Sequence, residues 1–382
     1  MKRLETYDSN SVNIVFSSGK TIVAFAVAWL VDQGRISYSD KVSAHWPEFG
    51  QNGKEDITIE RVMRHEGGLP FIETQITKEM MQPANYNKLK EALEKAEPVW
   101  KRVKNIEESD RVYHATTRAF IIDEICRRVD AEKRTLSELM SYLSARVSDI
   151  TGEKMSHFIG RLDEEKEKQV VLHTFKDPVR NQMVLMTRLA LPFLMEKPEK
   201  KHHVPKEIMD EHKRLLVEAK KQKKKPLAMK TYKGTANTFF RYPTLETMNF
   251  EAASFNTATN ARSLAAFGQA FIFAPSEERL ISDETRDLLV SNLEQKVDLG
   301  IMLPTTMSKG GVGKFAEAMY PEYIHSFYGW QGYGGSVFAF SLENDLSIAY
   351  VPNRLDVICF GGFFDKRCLG ILKPLMEVTA PH

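Results

Sequence analysis

Phe16-Ser17-Ser18-Gly19-Lys20 runs straight into an eleven-residue apolar stretch, TIVAFAVAWLV, at positions 21–31. The stretch predicts a serine and a lysine on the first turn of a buried helix. At i and i+3 the two side chains share one helix face. The N-terminus of such a helix supplies oriented N–H groups and a partial positive charge. An amine held there in apolar surroundings loses affinity for its proton and can take one from the neighbouring hydroxyl. A nucleophilic serine so placed needs no histidine as its base. The bare tetrapeptide also admits a plain reading, with Ser17 as an N-cap and Lys20 in solvent. Against that stand the apolar helix that follows and the absence of any other Ser-x-x-Lys spacing in the chain.

The 382 residues, 42% hydrophobic, suffice for a large core in one large domain or two lobes. A net charge of +2 gives no global field that would argue for nucleic acid or an acidic partner. Three cysteines, Cys126, Cys359 and Cys368, show no metal-type spacing and fit a reduced compartment. No apolar run reaches the length of a membrane span, and the first ten residues, MKRLETYDSN, carry no apolar signal region. These features point to a cytoplasmic or mitochondrial protein and imply no cofactor or metal.

Along the chain, Gly34 suits a left-handed cap closing the first helix. A hairpin-like segment at 37–40, an extended segment at 42–49 and a short helix at 57–63 follow, ending in the Gly/Pro turn RHEGGLP at 64–70. Residues 76–110 read as helical and charged; further helices are expected over 113–129, 136–147, 261–273 and 363–378. Strands are expected over 324–330, 335–341 and 347–351, the last two joined by a turn at 342–345. Between them lies a lysine-dense segment, 196–230, read as a solvated helical insertion or lid. The order, helices first and strands last, suggests a helical lobe beside a lobe with an antiparallel sheet. The division is a single domain, 1–382, with a mainly helical lobe at 21–195, the insertion at 196–230, and C-terminal helices and strands at 231–382.

A serine hydrolase without a histidine base still needs a proton shuttle and an oxyanion hole. Tyr113, at the expected start of a helix, could project its phenol into a cleft; near Lys20 its pKa would fall, and a phenolate could protonate a leaving group. It could equally be an ordinary helix-start aromatic. The run GWQGYGGS at 329–336 leads into a strand, where glycines allow close backbone approach to a substrate. A hairpin bulge with packed aromatics is the alternative. The segment KGGVGK at 309–314 looks like a phosphate-binding loop, but Phe315 stands where such loops carry Ser or Thr for magnesium, and no run of buried β-strand residues is expected before it. The adjacent His202 and His203 fall in the lysine-rich insertion and suggest no metal set.

Five segments, in order, resemble the serine β-lactamase-like superfamily, in particular class C β-lactamases, family VIII carboxylesterases and mitochondrial β-lactamase-like proteins. They are residues 16–49, the turn ITIERVMRHEGGLP (57–70), the helix at 113–129, TATNARSLAAFGQAF (257–271) and GWQGYGGSVFAF (329–340). The resemblance implies a β-lactamase/transpeptidase-like α/β fold of the α+β type, an antiparallel sheet flanked by helices plus a helical lobe. It also implies Ser17 as the acylated nucleophile, Lys20 as its activator and Tyr113 as general base and acid. Trp330, Gln331 and Gly332 stand where lactamases carry the substrate-gripping Lys-Thr-Gly, and the oxyanion hole would be the main-chain N–H groups of Ser17 and Tyr333.

The chain departs from that pattern at three places. Ala115 replaces the second-motif asparagine, which removes an amide that would hold the acyl side chain. Trp330 replaces the cation that grips a substrate carboxylate, so ester cleavage fits better than β-lactam turnover. Only sixteen residues precede the nucleophile, where relatives carry a helix and two strands. The expectation is therefore a sheet lacking its N-terminal strands, whose open edge either leaves the chain less stable than its relatives or pairs with another chain. The reading is a serine hydrolase acting on a small ester or amide, with no nucleic-acid or membrane partner. The alternatives are a catalytically silent assembly member of the fold and a D-amino-acid or peptide hydrolase.

Overall fold

In the computed structural model, residues 7–74, 76–77, 79–102, 111–175, 248–301, 303–316, 320–356 and 365–379 are described. The Gly19–Asp32 helix is apolar on nearly every side because nearly every side is covered; Gly19 through Ala28 and Leu30 are all buried. It lies against the helices Thr117–Val129, Leu136–Thr151 and Asp283–Val290, and against two strands of the main sheet, β8 (Tyr328–Gln331) and β9 (Val337–Ser341). Phe25 at its centre stacks on Phe271 at 4.8 Å between ring centroids and meets Phe338 edge-on at 5.7 Å. Such offset and edge contacts suit the aromatic quadrupole.

The main sheet adds β5 (Glu294–Asp298), β6 (Leu303–Met307), β7 (Gly313–Lys314) and β10 (Leu346–Tyr350) to these two, in the order β10-β9-β8-β7-β6-β5. Every pairing in it is antiparallel. Strand β9 is buried at all five positions, as a strand covered on both faces must be. Among the described residues β10 and β5, the two ends of the sheet, each pair on one side only. A small antiparallel sheet combines β1 (Asn13–Ile14), β2 (His157–Ile159) and β4 (Thr257–Thr259), with β4 central. A parallel pair joins β3 (Thr174–Phe175) to β11 (Arg354–Leu355). The stretch ahead of the nucleophile thus joins the small sheet rather than the large one.

The local expectations hold for several helices and need correction elsewhere. Residues 42–49 are not extended. They form a helical turn, Val42–His45, and a 3-10 turn, Pro47–Phe49, because Val42, Trp46 and Phe49, at helical spacing, are all fully buried. The helix expected over 76–110 is Tyr86–Lys95 followed by the turn Val99–Arg102; Ala96 is extended, two residues before Pro98, and 103–110 lie outside the described residues. The strand expected from 324 starts at Tyr328, after the 3-10 turn Glu322–Ile324. The helix expected over 261–273 is α-helical for Ala261–Gly268 and closes as a π-turn, Gln269–Phe273. The lysine-rich insertion 196–230, with His202 and His203, and Cys359 lie outside the described residues.

The phosphate-loop look-alike is a turn between strands. A strand, β6, does precede it, and β7 rather than a helix follows. The amides of Lys309, Gly310, Gly311 and Val312 are already bonded to Ser291 O, Leu289 O, Ser308 O and Ser308 Oγ. None is left to cradle a phosphate.

Candidate active site

Three distant segments fix the nucleophile turn. Val15 donates its N–H to Thr257 O of β4 at 2.9 Å, and its carbonyl accepts from Ser336 Oγ at 2.7 Å. Ser18 Oγ bonds Ser336 Oγ at 3.0 Å. Phe16 takes a φ of +49°, a conformation a bulky residue rarely adopts. Its ring is held between His173, stacked at 5.5 Å, and Tyr333, edge-on at 5.4 Å. Strain of this kind, stored next to Ser17, is of the sort that clusters at functional sites. Ser17 follows in a 3-10 turn, Phe16–Ser18, and the N-cap position of the main helix is Ser18, whose side chain makes no capping bond. Ser17 is therefore not an N-cap.

Lys20 lies one turn on and is 1% exposed, so it is not in solvent. Its Nζ contacts Ala115 O at 2.9 Å, Ser254 O at 2.8 Å and Ser17 Oγ at 3.2 Å. Two of these partners are carbonyls and can only accept. In its neutral form the amine has two hydrogens and one lone pair; the two carbonyls would take the hydrogens and leave the lone pair facing the serine hydroxyl. Burial, aided by the Arg118 guanidinium, holds the Lys20 amine well below the ordinary lysine range. Ala115, in place of the second-motif asparagine, still serves through its backbone oxygen.

Tyr113 Oη lies 2.6 Å from Ser17 Oγ, and the Lys20 Nζ sits 4.9 Å from the Tyr113 ring centre. The serine hydroxyl thus stands between amine and phenol. Tyr113 does not open a helix. The helix begins at Thr117, because the backbone before it pairs laterally: Val112 N–H to His65 O at 3.0 Å, and Tyr113 N–H to Asp298 Oδ1 at 2.9 Å. Nor does its pKa fall. Burial pushes the phenol up to about 12, against the opposing pull of hydrogen bonding from Ser17 and Trp330. The resting side chain is a neutral phenol.

Trp330 lies parallel to Tyr113 at 5.7 Å and 16°, offering a ring face where the resemblance implied a cation. The Gln331 side-chain nitrogen is buried with no hydrogen-bond partner. Gly332 donates its N–H to Ser336 O at 2.8 Å. A Cβ there would collide with Val15 O and Ser336 Oγ, so the glycine lets the end of β8 touch the nucleophile turn. Its close approach is to the protein's own backbone. Tyr333 packs behind Phe16 and so flanks the same turn.

Sequence reasoning passed over the shell behind these groups. His65, in the turn after the Ile59–Met63 helix, is fully buried, and its ring lies 4.9 Å from Tyr113 and 5.3 Å from Trp330. His114 is buried too; its Nε2 accepts from Leu69 N–H at 3.0 Å, and burial pushes its pKa down to about 3. Asp298 gathers the N–H groups of Tyr113, Gly300 and Ile301 on one carboxylate oxygen. Arg118 is fully buried beside Lys20. Only the quoted HEGG turn and the residues flanking Tyr113 could have signalled any of them.

The fold resembles several solved structures. A family VIII carboxylesterase is 20% identical, with a TM-score of 0.67, over 96% of this chain and 83% of that one. EstA from Arthrobacter nitroguajacolicus Rue61a is 21% identical, with a TM-score of 0.66, over 97% and 85%. A penicillin-binding protein homologue from Caulobacter crescentus is 20% identical, with a TM-score of 0.64, over 91% and 79%. In sequence, 63 residues are 41% identical to the esterase/beta-lactamase LipL of Mycobacterium tuberculosis (strain ATCC 25618 / H37Rv), a match spanning 16% of this chain and only 15% of that protein. No described helix is long and apolar enough to cross a membrane. The sequence model of one family matches residues 2–357, nearly the whole chain, and with the fold described above it shows that the protein belongs to the Beta-lactamase family.

Proposed function

We propose that this chain is a serine hydrolase that forms an acyl-enzyme at Ser17 on a small ester or amide. The observation that carries the reading is the Ser17 hydroxyl held between an amine at 3.2 Å and a phenol at 2.6 Å. Lys20, poised neutral, takes the Ser17 proton as Oγ attacks the substrate carbonyl. The main-chain N–H groups of Ser17 and Tyr333 receive the oxyanion. Tyr113, a neutral phenol, protonates the departing alkoxide or amine and recovers a proton from the Lys20 ammonium. A water molecule then releases the acyl group through the same exchange in reverse.

Substrate preference follows from the floor of the site. Trp330 and Gln331 provide a ring face and an amide donor in place of a cation, which suits an uncharged acyl group better than a carboxylate. The esterases among the structural relatives agree with that preference. The test is a fluorophosphonate probe on purified protein. Labelling that disappears in Ser17→Ala supports the reading, and absence of labelling on folded protein supports a silent member of the fold. Faster turnover of p-nitrophenyl acyl esters than of a chromogenic cephalosporin is expected; the reverse order would overturn the ester preference.

A further inference from the structure

Arg118 is the second residue of the Thr117–Val129 helix and is 0% exposed. A buried guanidinium ordinarily sits on a carboxylate, and this one makes no ion pair among the described residues. Its Nε has no hydrogen-bond partner, and its Nη2 reaches Lys20 O at a long 3.4 Å. The remaining contact, Nη1 to His65 Nε2 at 3.4 Å, does not help. The backbone N–H of His114 donates to His65 Nδ1 at 3.1 Å, which claims the single lone pair of a neutral imidazole and places its proton on Nε2. Nε2–H therefore faces the guanidinium, donor against donor. A cation at the positive end of a helix is unfavourable as well. The molecule keeps this charge against the backbone carbonyl of Lys20, with no carboxylate to balance it.

We propose that Arg118 is a positioning residue: an unbalanced buried positive charge that keeps Lys20 free of its proton and favours negative charge on the Ser17 and Tyr113 oxygens. This rests on the serine-hydrolase reading given above for its catalytic consequence, but its electrostatic core does not. The ionisable groups facing Lys20 are Tyr113 from the segment before the helix, Arg118 from the helix, and His65 and His114 from the two turns beneath. Those facing Arg118 are Tyr113, Tyr38, His65, His114 and Lys20. No carboxylate is among them. Burial pulls Arg118 itself down to about 10, against the opposing effect of Tyr113 and Tyr38.

The test reads the Lys20 charge directly, by pH titration of 13Cε-lysine NMR signals in the full chain, with the Lys20 signal assigned by its loss in Lys20→Met. In Arg118→Met the Lys20 midpoint should rise by about one pH unit or more, and the acid limb of fluorophosphonate labelling should move with it. At a fixed pH on that limb labelling then falls about tenfold. Arg118→Lys, which keeps the charge, should hold the wild-type midpoint. Removing an unpaired buried charge should leave thermal stability unchanged or higher; if the Met variant nevertheless fails to fold, Arg118→Gln carries the same expectation. An unmoved Lys20 midpoint in the neutral variants overturns the proposal. Absence of Ser17-dependent labelling in the wild type overturns the hydrolase reading instead, while the titration still decides the role of Arg118.

Discussion

Gly19 stands between Ser17 and Lys20, the proposed nucleophile and base, and replacing it by alanine sets two effects against each other. Its φ of −60° is helical, so alanine fits the backbone and gains the propensity advantage over glycine, about 0.5–1 kcal/mol. The new Cβ, however, would lie 2.6 Å from Thr257 Oγ1, 3.0 Å from Thr257 Cβ and 3.2 Å from Ala253 O. Carbon–carbon contacts relax at about 3.5–4.0 Å, so the start of the helix must retreat from β4 by about 0.5–1 Å. Thr257 cannot yield instead: it is fully buried, and its carbonyl holds Val15. Overpacking of this kind costs about 1–3 kcal/mol, which outweighs the propensity gain and lowers Tm by a few degrees. The larger effect is on rate. A shift approaching 1 Å carries Ser17 and Lys20 away from Tyr113, and misplacement on that scale costs about a hundredfold. Fluorophosphonate labelling rates and thermal melts of Gly19→Ala, with and without Thr257→Ala to open space, measure both. Recovery of part of the rate in the double variant is expected. A single variant that labels at the wild-type rate would refute the reasoning.

Lys20→Ala and Tyr113→Phe should each lower ester turnover by a factor of about a hundred or more, the usual effect of losing a proton-transfer group; unchanged turnover removes that residue from the mechanism. Asp298→Ala strands the amides of Tyr113, Gly300 and Ile301 and should destabilise the fold by about 1–3 kcal/mol or more, whereas Asp298→Asn, which keeps an acceptor, should recover much of that in urea titrations. Stability should fall as pH drops from about 6.5 toward 5. His114 and His157 are held neutral, each with a pKa pushed down to about 3 by burial, so below the ordinary histidine range the unfolded chain binds protons that the folded one refuses. Asp123, raised to about 6 by burial, works in the opposite direction and offsets part of the loss. A flat urea midpoint between pH 7.5 and 5 would contradict this.

The nucleophile helix was legible because its signal is local: a run of apolar residues with no polar face demands cover on all sides, and the Ser-x-x-Lys spacing fixes one face within a single turn. The three C-terminal strands were legible to within a few residues for the same reason, from short runs of aromatic and aliphatic residues around a polar turn. Tyr113 was placed in the right neighbourhood but in the wrong local structure, since what keeps it out of the helix is Asp298, 185 residues away. Its proton affinity was misjudged for a related cause. Proximity to an amine lowers a phenol's pKa only when the amine is charged, and burial suppresses that charge on Lys20 while raising the phenol. The 42–49 segment misled because Pro47 suggested a break, while the spacing of Val42, Trp46 and Phe49 already matched a helix. His65 and His114 were marked only by the Gly/Pro turn and by their place beside Tyr113, and Arg118 not at all, because a buried cation and two buried imidazoles look in sequence like ordinary surface residues.

The Ser17 turn is tied by Val15 to Thr257 and Ser336, and Lys20 is tied to Ser254, all more than two hundred positions further along. During synthesis the proposed reactive hydroxyl of Ser17 therefore emerges long before the scaffolding that would activate it. Contacts of such wide separation form late and slowly, so a partly made or partly unfolded chain carries an inert serine. Reactivity and completed tertiary structure are in effect one event, and the rate at which probe-sensitive serine appears on refolding should match the slowest phase of the whole molecule.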